Sequence, residues 1–344
     1  MTSDPVERYL TRSRRLQRRT VLRPMAGGEL MDETLALYRS AGASLLLPVA
    51  LSALIMAAAE GFVAQYVIGR FFETQQPGSV EGQMLEFIAN SALGLFVAAP
   101  IWIIALSYAT ALSVRHVGWI LLGQATTPNE AVRDARRVFP SILLATGSVM
   151  LRSIAGFLIS GGLMLVGAWL STRTIETSAA AGIVAAIGIV GLFIGFFWFM
   201  FVVGQFGLVA PVAIIEGIRG RALMRRTVQL VKASGRQPGA AGTIVSLVVA
   251  SAILDMIISG GLDTLVEALS VPSHLREGVG GVVGEALAGT LTVLPSVLSH
   301  TLVLPFFTIA ITVLYFERRV RIEGYDITAL ASDIDTGRRP VGGG

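Results

Sequence analysis

Four ionisable residues interrupt otherwise apolar stretches of this sequence: Glu60, Arg152, Asp255 and His300. Charge is costly in such surroundings, so these side chains need a reason to be there. One use is chemical: a relay for ions or protons, or a binding site for a polar headgroup. The other is structural: Arg152 pairs with Asp255 or Glu60 and fixes how helices pack. Acid and base counts in the set nearly balance, which favours pairing over an open pathway. Asp255 has Ser251 and Ser259 one turn to each side, and His300 has Ser296 and Ser299 nearby, so both carry a polar stripe on their own helix. Metal chemistry finds little support. The three histidines, His116, His274 and His300, lie far apart, and cysteine is absent, so neither a thiolate site nor a disulfide framework is available. No catalytic constellation is recognisable, and no cofactor is implied.

The elements that must hold these residues are read from hydropathy. Of the 344 residues 53% are hydrophobic and only 15% charged, and the mean hydropathy is +0.70. A soluble domain of this length needs a larger polar exterior, whereas lipid suits the composition. A spanning helix takes about 20 mostly apolar residues. Six segments qualify, at roughly 44–69, 86–114, 139–169, 180–213, 241–269 and 288–316. Several exceed the minimum, so tilt or kinks are expected, most of all in the last, with Pro295 and Pro305. The first apolar run begins only near Ser44, behind a basic and polar segment, so no cleavable leader is expected. Arg14-Arg15 has no apolar core behind it and does not make a twin-arginine signal.

Orientation follows from arginine. The segment before the first span carries Arg8, Arg12, Arg14, Arg15, Arg18, Arg19, Arg23 and Arg39. The second connection carries Arg115, Arg133, Arg136 and Arg137. The fourth carries Arg219, Arg221, Arg225, Arg226, Lys232 and Arg236, and the tail begins with Arg318, Arg319 and Arg321. The intervening connections hold only Arg70, Arg173 and Arg276. Such alternation places both termini in the cytoplasm. Counted at 1.5 Å per residue from that side, the four intramembrane ionisable residues fall at roughly 17 to 26 Å depth, in one layer. The pI near 9.8 then reflects arginine retained on the inner side rather than nucleic-acid binding, since no aromatic-basic platform accompanies it. Arg8, Arg12, Arg15 and Arg19 can line one helical side and contact anionic lipid headgroups. Of 27 basic residues only Lys232 is lysine, a bias that fits a GC-rich bacterial genome and hence a bacterial cytoplasmic (inner) membrane.

Three segments of similar character precede the outward-going spans: Glu33–Arg39, Glu130–Arg137 and Arg221–Lys232. Each mixes apolar and basic positions at helical spacing, as a helix in the headgroup layer would. They recur at roughly 90 to 100 residues, the size of an interfacial helix plus a two-span hairpin. The expected architecture is an all-α polytopic bundle of three hairpins, each preceded by an interfacial amphipathic helix. It divides into a basic segment 1–40, a membrane domain 41–316 and a tail 317–344. Duplication and simple anchoring both explain the three segments.

Three stretches carry a family resemblance. They are Leu22-Arg-Pro-Met with Gly28-Glu-Leu-Met-Asp32 and Leu37-Tyr-Arg39; Pro211-Val-Ala-Ile-Ile-Glu216-Gly217 with Leu223-Met-Arg-Arg-Thr227 and Leu230-Val-Lys232; and Leu314-Tyr-Phe-Glu-Arg-Arg-Val-Arg-Ile-Glu-Gly-Tyr-Asp326. In this order they resemble the membrane domain of some bacterial glycerophosphoryl diester phosphodiesterases and of stand-alone membrane proteins. The resemblance implies a fold. In the phosphodiesterases catalysis belongs to a separate soluble barrel, for which residues 327–344 leave no room, so it implies the membrane part without the enzyme.

Glycine is abundant, with Gly156, Gly161, Gly162 and Gly167 in the third span and Gly182, Gly188, Gly191 and Gly195 in the fourth; close helix packing is the plain explanation. The fourth span also carries Phe193, Phe196, Phe197, Trp198, Phe199, Phe201 and Phe206, a band facing lipid or neighbouring helices, with a pigment or quinone site as the alternative. The leading expectation is a non-enzymatic scaffold, assembly factor or accessory subunit that contacts lipids and other membrane subunits. The alternatives are a small transporter or lipid-handling protein, and a membrane partner of a separately encoded phosphodiesterase. A transporter needs a cavity reaching the charged layer, whereas a scaffold is packed through.

Overall fold

The computed structural model describes residues 24–63, 80–122, 128–174, 178–232, 239–269, 274 and 281–324. Among them are eight α-helices: α1 Gly27–Val63, α2 Val80–Leu121, α3 Pro128–Thr174, α4 Ser178–Phe206, α5 Val209–Ile215, α6 Gly220–Val231, α7 Ala241–Ala268 and α8 Gly281–Glu323. Six stretches are long and apolar enough to cross a membrane: Ser44–Gly61, Ala98–Leu121, Val132–Gly156, Phe193–Ile215, Ala241–Ala268 and Leu291–Glu323. Helices satisfy their own backbone polar groups, which lipid cannot do for them. The protein is a multi-pass helical membrane bundle.

Consecutive spans pack as hairpins, α1 on α2, α3 on α4, and α7 on α8. The hairpins close into a ring through contacts of α2 with α3, α4 with α7, and α8 with α1. The ring is filled at one end. There α5 breaks away from α4 and packs against α2, α3, α6 and α8, with Val209 to Ile214 all buried. We call this the basic end, since α1, α3 and α7 begin there and α8 finishes there among the arginines. The core lies against it: Ile309, Tyr315 and Phe316 of α8, Leu45 and Val49 of α1, and Val114 and Val117 of α2 are all nearly sealed. Toward the other end, packing on α7 thins, and Ile253, Leu254, Met256 and Ile257 are exposed. Leu47 is 83% and Leu144 76% exposed, which in this bundle makes them lipid-facing rather than wet.

The amphipathic segments are helical, but only the third stands alone, as α6. Glu33–Arg39 forms an early part of α1, and Glu130–Arg137 the opening of α3. The difference lies in the breakers. Gly217 and Gly220, at φ +67° and +62°, turn the chain into α6, and the sequence Ser234-Gly-Arg-Gln-Pro-Gly239 follows it. No such punctuation separates the first and second copies from their spans. At 47 residues α3 is about 70 Å long, well beyond the hydrocarbon, so its charged opening extends outside. The expected boundaries at 40 and 317 fall within helices. Residue 40 lies inside α1, and residues 317–323 complete α8, held by i,i+4 pairs Arg321–Glu317 and Arg319–Glu323. Arg8, Arg12, Arg15 and Arg19 lie outside the described residues.

Candidate functional site

At the basic end, arginine and glutamate side chains join distant segments. Glu216 sits where α5 ends. Its Oε2 accepts from Arg226 Nε at 2.8 Å, and its Oε1 accepts from Arg226 Nη2 at 3.1 Å and from the Tyr315 hydroxyl at 2.9 Å. Arg226 also pairs with Glu323, and Arg319 reaches Glu323 at 3.1 Å and the Tyr315 oxygen at 3.2 Å. The hydrogen bond to Glu216, reinforced by Glu323, raises the Arg226 pKa above its ordinary value against the opposing effect of burial. The buried Arg318 donates to the carbonyls of Leu230 (3.0 Å) and Lys232 (3.1 Å), supplying partners for the last turn of α6. Arg321 donates to Met25 O at 2.8 Å, tying α8 to the entry of α1. Beside these bonds lies a cavity of about 250 Å³ whose lining includes Met25, Gly27, Thr243, Glu317, Arg318 and Arg321.

The same economy holds elsewhere at this end. Arg115 binds Asp134 at 3.1 Å across α2 and α3 and stacks on Trp119, 4.7 Å from the ring centre. His116 is buried, with Nε2 2.9 Å from Ser44 Oγ. Ser44 gives its one hydroxyl hydrogen to Ala41 O (2.6 Å), so the ring must donate through Nε2. Most of these cations are thus spent on holding helices together.

The intramembrane layer is only partly assembled as its residue types suggest. Glu60 on α1 and His300 on α8 meet, with Oε1 3.4 Å from Nε2, and Trp102 of α2 donates to the same oxygen at 3.2 Å. Asp255 on α7 accepts from Ser299 Oγ at 2.6 Å, next to His300 in the chain. Arg152 does not join them. Its guanidinium lies 3.5 Å from Met224 Sδ on α6 and 5.1 Å from the centre of the Phe206 ring. Among the described residues there is no Arg152–Asp255 or Arg152–Glu60 ion pair. The reason is side-chain direction: on a helix a long side chain leans toward the N-terminus, which for α3 is the basic end, so arginine snorkels away from the layer. Two acids and one imidazole remain, and the charge balance that favoured pairing with Arg152 is lost.

Trp102 and Ser299 complete this site; Ser299 belongs to the polar stripe the sequence shows beside His300, whereas a lone tryptophan in an apolar run carries no signal of partnership. Glu216, Arg226, Tyr315 and Arg319 do stand within conspicuous stretches of the sequence, at 211–217, 223–227 and 314–326. The glycine reading holds at Gly156, where Trp198 lies against the backbone and donates its indole N–H to Arg152 O at 2.7 Å. Gly191 and Gly195 are buried, while the surroundings of Gly161, Gly162, Gly167, Gly182 and Gly188 are not described. Phe193, Phe196, Phe197, Trp198 and Phe201 are exposed on the lipid side of α4.

Compared with known proteins, the chain matches no family model, and it gives no significant match to a curated protein or to a solved structure.

Proposed function

We propose that this protein is a non-enzymatic integral membrane protein acting as a scaffold, assembly factor or accessory subunit of a membrane complex. One observation carries the reading: the basic end is a cross-tied platform, in which Arg226, Arg318, Arg319 and Arg321 link α1, α5, α6 and α8 above a packed core. An alternating-access carrier must open that end, and α5 fills it. A fixed platform suits recognition by a partner. The arginine alternation supports a cytoplasmic placement for this end and for both termini, in a bacterial inner membrane whose anionic headgroups meet Arg8, Arg12, Arg15 and Arg19.

Purification of the full chain in mild detergent, with cross-linking and mass spectrometry, tests this. A stoichiometric membrane-protein partner lost on Arg226→Ala or Arg319→Ala supports it. A partner-free chain that moves a solute across liposomes overturns it in favour of a transporter or lipid-handling protein, the reading that the Glu60–His300 contact favours. The resemblance offers a separately encoded phosphodiesterase as one class of partner, which the same mass spectra would identify.

A further inference from the structure

We infer that Glu60 and His300 form a proton-binding site within the membrane, holding one proton between them. The argument starts from the imidazole. His300 Nδ1 lies 2.8 Å from Ser296 O, and a carbonyl oxygen only accepts, so Nδ1 carries hydrogen. In the neutral ring Nε2 is then a bare lone pair. That lone pair faces Glu60 Oε1 at 3.4 Å. A carboxylate oxygen is also acceptor-only, so the contact is repulsive unless a proton lies in it. One proton satisfies both partners, either as imidazolium with carboxylate or as imidazole with carboxylic acid. Both forms have zero net charge, the arrangement that a low-dielectric interior tolerates best. Release of the proton to water leaves a carboxylate held, among the described residues, by the Trp102 indole N–H.

Among the described residues, the surroundings supply no counter-cation. From α7 the facing group is Asp255, a second carboxylate, joined to α8 through Ser299. From α2 it is Trp102, which is uncharged. On α3, Arg152 is turned toward Phe206 and Met224. The site therefore joins α1 to α8 only while it is protonated, and gain or loss of the proton acts on the packing of those two helices.

The test uses the full chain in lipid nanodiscs with 15N-labelled histidine. Only three histidines contribute signals, and His300→Gln identifies those of residue 300. The expected result, at one fixed pH, is a ring with hydrogen on Nδ1 whose Nε2 is hydrogen-bonded through a shared proton, with an Nε2 signal that differs between wild type and Glu60→Gln. Trp102→Phe keeps both partners while removing the indole donor, and it must also move the Nε2 signal; it decides the matter should Glu60→Gln not fold. A ring protonated on Nε2 alone, or an Nε2 signal unchanged in the folded variants, overturns the inference.

Discussion

The Arg226 guanidinium grips Glu216 through two nitrogens, at 2.8 and 3.1 Å, and so folds α6 back against the end of α5. Because Arg226 also pairs with Glu323, one side chain fixes three segments of the basic end. Arg226→Ala should lower stability in detergent by about 2–3 kcal/mol, the scale of charged hydrogen bonds left without a partner. Arg226→Lys keeps the charge but not the fork, and should recover only part of the loss. Thermal unfolding of the three proteins side by side checks the order; equal stability of all three would refute it.

Arg152 and Asp255 should behave independently. They sit on α3 and α7, with partners that do not overlap. In a double-mutant cycle with Arg152→Gln and Asp255→Asn, the losses should add within about 0.5 kcal/mol. Larger coupling would place the two side chains in contact.

Two glycines of α3 should respond oppositely to alanine. A Cβ on Gly156 would stand 2.4 Å from Trp198 Cδ1 and 2.8 Å from its Cβ, whereas one on Gly147 meets nothing within 4 Å. Gly156→Ala should cost about 1–3 kcal/mol through overpacking. Gly147→Ala should be neutral or gain up to about 1 kcal/mol from helix propensity. Melting temperatures of the two variants in one detergent decide it.

Tyr38 gives an alkaline signature. Burial raises the pKa of its phenol above the usual 10, and its hydroxyl donates to Leu302 O at 3.0 Å. The folded state therefore keeps this proton better than the unfolded state. The contribution is fully present below pH 10 and is lost as pH rises through the folded value. Tyr38→Phe should be less stable than wild type at pH 8, and the gap should narrow above pH 10. A gap independent of pH would contradict this.

Orientation can be read with single cysteines, since the chain has none of its own. Cysteines replacing Gln76 and Ser273 should react with an impermeant thiol reagent in intact cells whose outer barrier has been opened. Those replacing Ser13 and Ser332 should stay unlabelled. Labelling of either terminus from outside would reverse the assigned direction.

The spans were legible in the sequence because each is decided locally. A run such as 241–269 must satisfy its own backbone in lipid wherever its neighbours lie, and α7 occupies almost those residues. Breakers are local as well, so Gly217 and Gly220 mark the entry to α6. The ionisable layer was legible only as a list. Equal depth brought Glu60, Arg152, Asp255 and His300 together on paper, but depth is one coordinate of three. Helix rotation and packing order set the others, and they bring His300 to Glu60 and Trp102, and Asp255 to Ser299. The direction of a flexible side chain decided the last: Arg152 gains Phe206 and Met224 by leaning toward the basic end, and no spacing along the chain encodes that choice.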